Sequence, residues 1–173
     1  MTIAEFSRPF QVERLGREVK IFDLEANAAE RAALAGRFRI LSIDSLVARV
    51  QLSLVGGVGL VRLKGYFAAD VVQACVLSLE PVPAHLEEDF ELTYSTEAAP
   101  AGDEVVVELD DEEPPEPIVD GVIDLGEAVA EHLALALDPF PRAPGARFDE
   151  PAEVPTDNER SSPFAGLAAF KKK

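Results

Sequence analysis

The alternation of apolar and polar positions is clearest in one central stretch. From Leu86 to Tyr94, the side chains of Leu86, Phe90, Leu92 and Tyr94 share one face, and Glu88 is the one acidic residue among them. A period of two sends successive side chains to opposite sides of a sheet, so this stretch is a half-buried strand. Ahead of it, Val71 to Leu79 is almost continuously apolar, which predicts a strand covered on both faces. Glu80-Pro81-Val82-Pro83 separates the two. Proline fixes φ and donates no hydrogen bond, so the ladder is expected to break there. The result is a long-looped antiparallel hairpin at the centre of a sheet, with His85 in its loop.

The same pattern extends upstream. Leu46, Ala48, Val50, Leu52 and Leu54 share one face, with Arg49, Gln51 and Ser53 on the other. Gly56-Gly57 supplies a tight turn. Val58 to Phe67 returns as the partner strand, with Arg62 and Lys64 outward and Gly65 at a predicted bulge. Nearer the start, Phe6, Phe10, Val12 and Leu15 suggest an extended segment interrupted by Pro9, and Glu18 to Asp23 alternates as a short strand. Asn27 with Glu30 three residues on forms a capping box, opening a helix through Ala28–Ala35 that stops near Gly36.

Downstream, Ile118 to Ile123 predicts another strand joining the sheet. Asp124 caps a second helix, again with an acid, Glu127, three residues on. Leu125, Val129, Leu133 and Leu137 recur every fourth residue in that helix, His132 borders the stripe, and Pro139 and Pro141 end it. These elements predict an α+β domain, an antiparallel meander packed with two main helices. Its core is expected to include Leu52, Leu54, Val61, Leu63, Val72, Val76, Phe90, Leu92, Val129 and Leu133.

Charge sharpens the division of the chain. Its net charge of −16 is concentrated between Gly65 and Pro141, a block with twenty acidic and no basic residues. The stretch before it carries +3 and the stretch after it +1. Such a block repels phosphate over a Debye length of about 8 Å, so this surface is not expected to bind nucleic acid directly. It suits a basic protein or simply keeps the domain soluble. Within it, about 97–117 is an acidic, proline-containing loop. Residues 1–141 are thus expected to form one domain. Residues 142–173 form a mobile, proline-rich tail, ending in a basic amphipathic segment with Phe164, Leu167 and Phe170 on one side and Lys171, Lys172 and Lys173 after them. No secretory signal and no membrane-length apolar run is visible, and the single cysteine fits a reducing cytoplasm.

Candidate chemistry is sparse. Gly56-Gly57-x-Gly59 lacks the helix and the Lys-Ser/Thr of a phosphate loop. Asp110-Asp111-Glu112-Glu113 lacks the alternating ligands and glycine turn of a calcium loop. Two histidines and one cysteine make no evident nucleophile constellation. No catalytic residue, metal or cofactor is expected.

Three blocks carry a resemblance. They are Cys75-Val76-Leu77-Ser78-Leu79-Glu80-Pro81 with the strand that follows, Ile118 to Leu137 with Ile123-Asp124-Leu125 opening the helix, and Ser162-Pro163-Phe164-Ala165-Gly166-Leu167 before the terminal lysines. Together they resemble the YceD family, the bacterial large ribosomal RNA subunit accumulation proteins, and the alanine-rich N-terminal half resembles its alphaproteobacterial branch. The resemblance implies a cytoplasmic, non-catalytic factor in the synthesis, processing or stability of large-subunit (23S) ribosomal RNA, acting in ribosome assembly. Its family residues are Cys75, Leu79, Glu80, Pro81, Pro163, Phe164 and Leu167, with Lys171, Lys172 and Lys173 as partner contacts. The family's gene typically neighbours that of a large-subunit ribosomal protein, and with the acidic block the expected partner is a ribosomal precursor or a basic ribosomal protein. The alternatives are a chaperone or adaptor for that basic protein and, behind it, an RNA-processing enzyme. Many members carry Cys-x-x-Cys at the hairpin, half of a zinc site. Here Ser78 stands in the second position, and Pro139 to Phe148 holds neither Cys nor His, so the metal is not carried over.

Overall fold

The computed structural model describes residues 5–55, 59–96 and 114–148. In chain order the elements are β1 (Pro9–Gln11), β2 (Lys20–Glu25), α1 (Ala28–Phe38), β3 (Ser42–Val55), β4 (Leu60–Ala74), β5 (Pro81–Ser95), β6 (Glu116–Pro117), β7 (Val122–Asp124) and α2 (Leu125–Ala136). The main sheet has the order β2-β3-β4-β5-β6, and β1 pairs with β7 in a separate two-stranded sheet. The fold is α+β, with β2 to β5 a continuous antiparallel meander.

Alternation organises the sheet into two unlike faces. Leu46, Ala48, Val50 and Leu52 of β3, with Val61, Leu63, Phe67, Ala69 and Val71 of β4, are all buried on the inner face. Both helices pack there, α1 on β3 and α2 on β4 and β5. α1 contributes Leu34 and Ala35 to the core, and α2 contributes Leu125, Ala128, Val129, Ala130 and Leu133. Full burial of each large apolar side chain stabilises the fold by about 1.5–3 kcal/mol. Phe6 and Leu15, ahead of and behind β1, are buried in the same core.

Several sequence expectations are corrected. The separate strands expected over Val58–Phe67 and Val71–Leu79 are one strand, β4, which stops at Ala74. Val76, expected in the core, therefore lies in the turn beyond the strand and is 45% exposed. Pro81 and Pro83 do not break the ladder. They stand inside β5, opposite Ala74 and Val72, where among the described residues no strand pairs on the far side and a missing N–H is tolerated. His85 consequently lies within β5, not in a loop. Leu54 is also exposed, because β2 flanks β3 only as far as Leu52. Val72 and Leu92 are half-buried.

Gly65 marks no bulge. It pairs in register with Val50 and Phe90, and a Cβ there would stand 2.2 Å from the Phe90 ring. The bare position lets that ring lie across the strand, as aromatic side chains do over sheet glycines. The irregularity falls instead between Ile43 and Ser45. Val119 to Ile123 does not extend the main sheet: β6 joins it, parallel to Tyr94 and Ser95, while β7 pairs with β1. The Gly56-Gly57 turn lies outside the described residues.

The helix termini follow their caps. Asn27 accepts from the N–H groups of Ala29 and Glu30, and Glu30 returns a bond to Asn27, completing the expected box. α1 passes through Gly36 and ends at Arg39, which takes the left-handed conformation, φ 56°. Asp124 caps α2 through the N–H groups of Gly126 and Glu127. The reciprocal bond expected from Glu127 gives way to an ion pair of Glu127 with Arg37 on α1.

A Cβ at Gly126 would fall 2.1 Å from the carbonyl oxygen of Phe6. That neighbour is backbone and cannot rotate away. Gly126→Ala is expected to cost about 1–3 kcal/mol through overpacking, read as a lower urea midpoint. An unchanged midpoint would show that the N-terminal segment does not rest on α2.

Candidate functional site

Two surfaces come from these elements: the turn that closes the β4–β5 hairpin, and the outer face of the sheet. The turn brings together Cys75, Leu79, Glu80 and Pro81, four of the residues expected from the sequence resemblance. Leu79 N–H donates to Cys75 O at 3.0 Å and Cys75 N–H donates to Glu80 O at 2.8 Å, closing the loop tightly before Pro81. Leu79 pays for that closure with a left-handed φ of 61°, and its side chain projects into solvent. Ser78 Oγ stands 3.0 Å from Glu80 Oε2.

The chain beyond α2 returns to this turn. Val76 N–H donates to Pro141 O at 2.9 Å, and the buried Gln73 amide donates to Asp138 O at 2.8 Å. Ala143 is itself buried. Cys75 is fully buried beneath this strap. Its thiol is pulled down to about 6, first by the backbone of Ala143, then by the Ser78 hydroxyl and the Ser78 and Leu77 backbone, against the opposing effect of burial. Ser78 and Leu77 direct their N–H groups at Sγ from 3.4 and 3.5 Å.

A turn of N–H groups around one sulfur is a thiolate-friendly knuckle. It does not fit zinc, which needs four ligands. Cys75 is the one thiol in the turn, and the strap from Asp138 to Ala143 holds no Cys or His. Among the described residues, no group of three or more His, Cys, Asp or Glu is arranged to hold a metal ion.

The outer face carries Asp23, Arg49, Arg62, Lys64, Tyr66, Asp70, His85, Glu87, Asp89 and Glu91. Cross-strand pairs neutralise its few cations: Arg49 with Asp23 at 2.6 Å, and Arg62 and Lys64 with Glu91 at 2.8 and 3.1 Å. His85 has Asp70 Oδ1 at 2.6 Å on Nδ1 and Glu87 Oε1 at 3.0 Å on Nε2. Asp70 first, then Glu87, raises its pKa. Both ring nitrogens are thus paired with carboxylates of the sheet's outer face. His132 stacks on Phe90, centroids 4.1 Å apart, as part of the packing between α2 and β5. Arg8 near the N-terminus is held by both carboxylate oxygens of Glu30. Arg14 and Arg17 remain exposed.

The strap across Cys75 was not anticipated from the sequence. Its signal was present only as the spacing of Pro139 and Pro141 after the helix. Cys75, Leu79, Glu80 and Pro81 meet in the hairpin turn. Pro163, Phe164, Leu167, Lys171, Lys172 and Lys173 lie outside the described residues.

A long antiparallel hairpin, a helix strapped back onto its turn and an acidic sheet face define a domain built to present surface. The YceD family model, described as large ribosomal RNA subunit accumulation protein YceD, matches residues 63–171. The chain belongs to that family. No curated protein and no solved structure matches the chain. No helix among the described residues is long and apolar enough to cross a membrane.

The depressed Cys75 thiol has a testable sign. A folded pKa below the ordinary thiol value stabilises the fold at high pH, and that contribution is lost as pH falls through about 6. Cys75→Ala removes packing at every pH and the thiolate contribution only at high pH. The gap between wild-type and variant urea midpoints is expected to widen from about pH 6 to about pH 9. A constant gap would contradict a stabilised thiolate.

Proposed function

We propose that this protein is a non-catalytic factor in large-subunit assembly, supporting accumulation of 23S ribosomal RNA by holding a basic ribosomal protein or precursor particle on its acidic surface. Family membership supplies the link to ribosomal RNA. The observation that carries the mode of action is the distribution of charge: twenty acids and no basic residue over Gly65–Pro141. Within that block, β5 displays Glu87, Asp89 and Glu91 on the outer face. Phosphate is repelled from such a surface and cationic protein is drawn to it. The reading carries a cytoplasmic location with it, where ribosomes assemble.

The non-catalytic part rests on the state of the candidate groups. Cys75 is shut beneath the strap, and His85 is engaged by carboxylates at both nitrogens. An RNA-processing enzyme needs an accessible acid/base pair or convergent metal ligands. Direct phosphate contact, in this proposal, is left to Lys171, Lys172 and Lys173. It fades as salt rises, because each phosphate contact releases counterions.

Depletion in cells, followed by measurement of precursor and mature large-subunit RNA, tests the reading. Mature 23S RNA is expected to fall relative to 16S RNA. Restoration is expected from the full chain, and weaker restoration from a chain lacking residues 164–173. Unchanged large-subunit RNA on depletion would overturn the proposal.

A further inference from the structure

The free edge of β5 has no role in the fold described so far. From Pro81 to Thr93 the strand has β4 on one side, and β6 begins to pair on the other only at Tyr94. Among the described residues no other strand lies along that edge.

The ladder determines which backbone groups face outward. Cys75 N–H bonds to Glu80 O in continuation of the β4–β5 register, so even-numbered residues of β5 bond to β4. Hydrogen-bonded and outward-facing positions alternate along an antiparallel strand, so the odd-numbered residues face the open side. Ser95 agrees, since its carbonyl accepts from Ile118 N–H at 3.0 Å on that side. Pro81 and Pro83 occupy the first two outward positions, where an absent N–H costs β4 nothing. His85, Glu87, Asp89, Glu91 and Thr93 follow, each directing an N–H and a C=O along the edge.

The same residues set the charge beside that edge. β5 carries Glu87, Glu88, Asp89 and Glu91 and no Lys or Arg. Glu91 is held by Arg62 and Lys64, and Glu87 by His85. Asp89 is exposed, opposite Tyr66. A second copy paired along this edge would bring acid against acid, and like charges on adjacent strands are destabilising. A strand with cations at alternate positions reverses the sign.

We infer that the β5 edge accepts an extended basic segment of a partner protein as an added strand, with its Lys or Arg side chains beside Glu87 and Asp89. Main-chain bonds to His85, Glu87, Asp89, Glu91 and Thr93 hold the segment, and alternate side chains select it. This rests on the reading of a basic protein partner and specifies how that partner is held.

The probe is a synthetic peptide of about ten residues, lysine alternating with threonine or valine, a length the open edge can pair. It is added to the full chain while backbone amide exchange is followed by NMR. The amides of His85, Glu87, Asp89 and Glu91 are expected to exchange fast in the free protein and to become protected on binding, while those of Leu86, Glu88 and Phe90 stay protected throughout. The same peptide N-methylated at alternate residues keeps its charge but cannot pair. It is expected to bind about tenfold more weakly or worse, a difference of about 1.4 kcal/mol. Glu87→Lys with Asp89→Lys is expected to abolish binding of the parent peptide.

Equal affinity for the two peptides would overturn the inference, showing charge attraction without strand addition. So would odd-numbered amides already protected in the free protein, or protection by oligouridine in place of peptide. If the peptides bind alike while depletion still lowers 23S RNA, the ribosomal role stands and this edge does not serve it.

Discussion

The carboxylate of Asp124 sits at the junction of two parts of the chain that are far apart in sequence. It accepts from the N–H groups of Gly126 and Glu127, starting α2, and from Arg8 N–H at 2.7 Å and the Ser7 hydroxyl. Leu125 N–H donates to Arg8 O at 3.1 Å, completing the junction. One side chain therefore caps a helix and ties the N-terminal segment to it across more than a hundred residues. α2 can cover the inner face only because its first turn is fixed there, with Gly126 against the Phe6 backbone and Phe6 fully buried. From that anchor the helix runs over β5, where His132 stacks on Phe90 and Phe90 lies across Gly65.

This arrangement makes the sheet asymmetric. Its inner face is filled by two helices and the N-terminal segment, and its outer face is left to solvent and charge. The long β4–β5 hairpin projects a tightly closed turn at one end, held by the strap from Asp138 to Ala143. The strap and the turn give Cys75, Leu79 and Pro81 a structural role in this chain. Cys75 is the acceptor at the centre of the knuckle, Leu79 takes the left-handed position that closes it, and Pro81 starts a strand on its open side. The chain belongs to a family of ribosomal RNA accumulation proteins, and its domain shows an outer face rich in carboxylates.

The alternating strands and both capped helices were legible because each rests on local information. Leu46 to Leu52 repeats every second residue, Asn27 stands three before Glu30, and Asp124 precedes an apolar stripe. The turn at Cys75 was harder to read, since Val71 to Leu79 is apolar throughout and a continuous run carries no mark of where a strand ends. Pro81 and Pro83 misled for a related reason. Proline forbids one hydrogen bond, and only the register shows that the missing donor faces the open side. The β1–β7 pairing and the strap over Cys75 join residues far apart in sequence, through backbone groups that no side-chain pattern records. Of the candidate site, Cys75, Leu79, Glu80 and Pro81 were recognisable by family resemblance, whereas the acidic edge emerged only when the ladder assigned each residue a side.

In the proposed function the acidic face of this sheet meets protein rather than RNA. A photo-crosslinking amino acid placed at Asp89 in living cells tests it most directly, with the same group at exposed Arg17 for comparison. Position 89 is expected to crosslink to a basic large-subunit ribosomal protein, with little RNA attached. Crosslinks from position 89 chiefly to ribosomal RNA would contradict it.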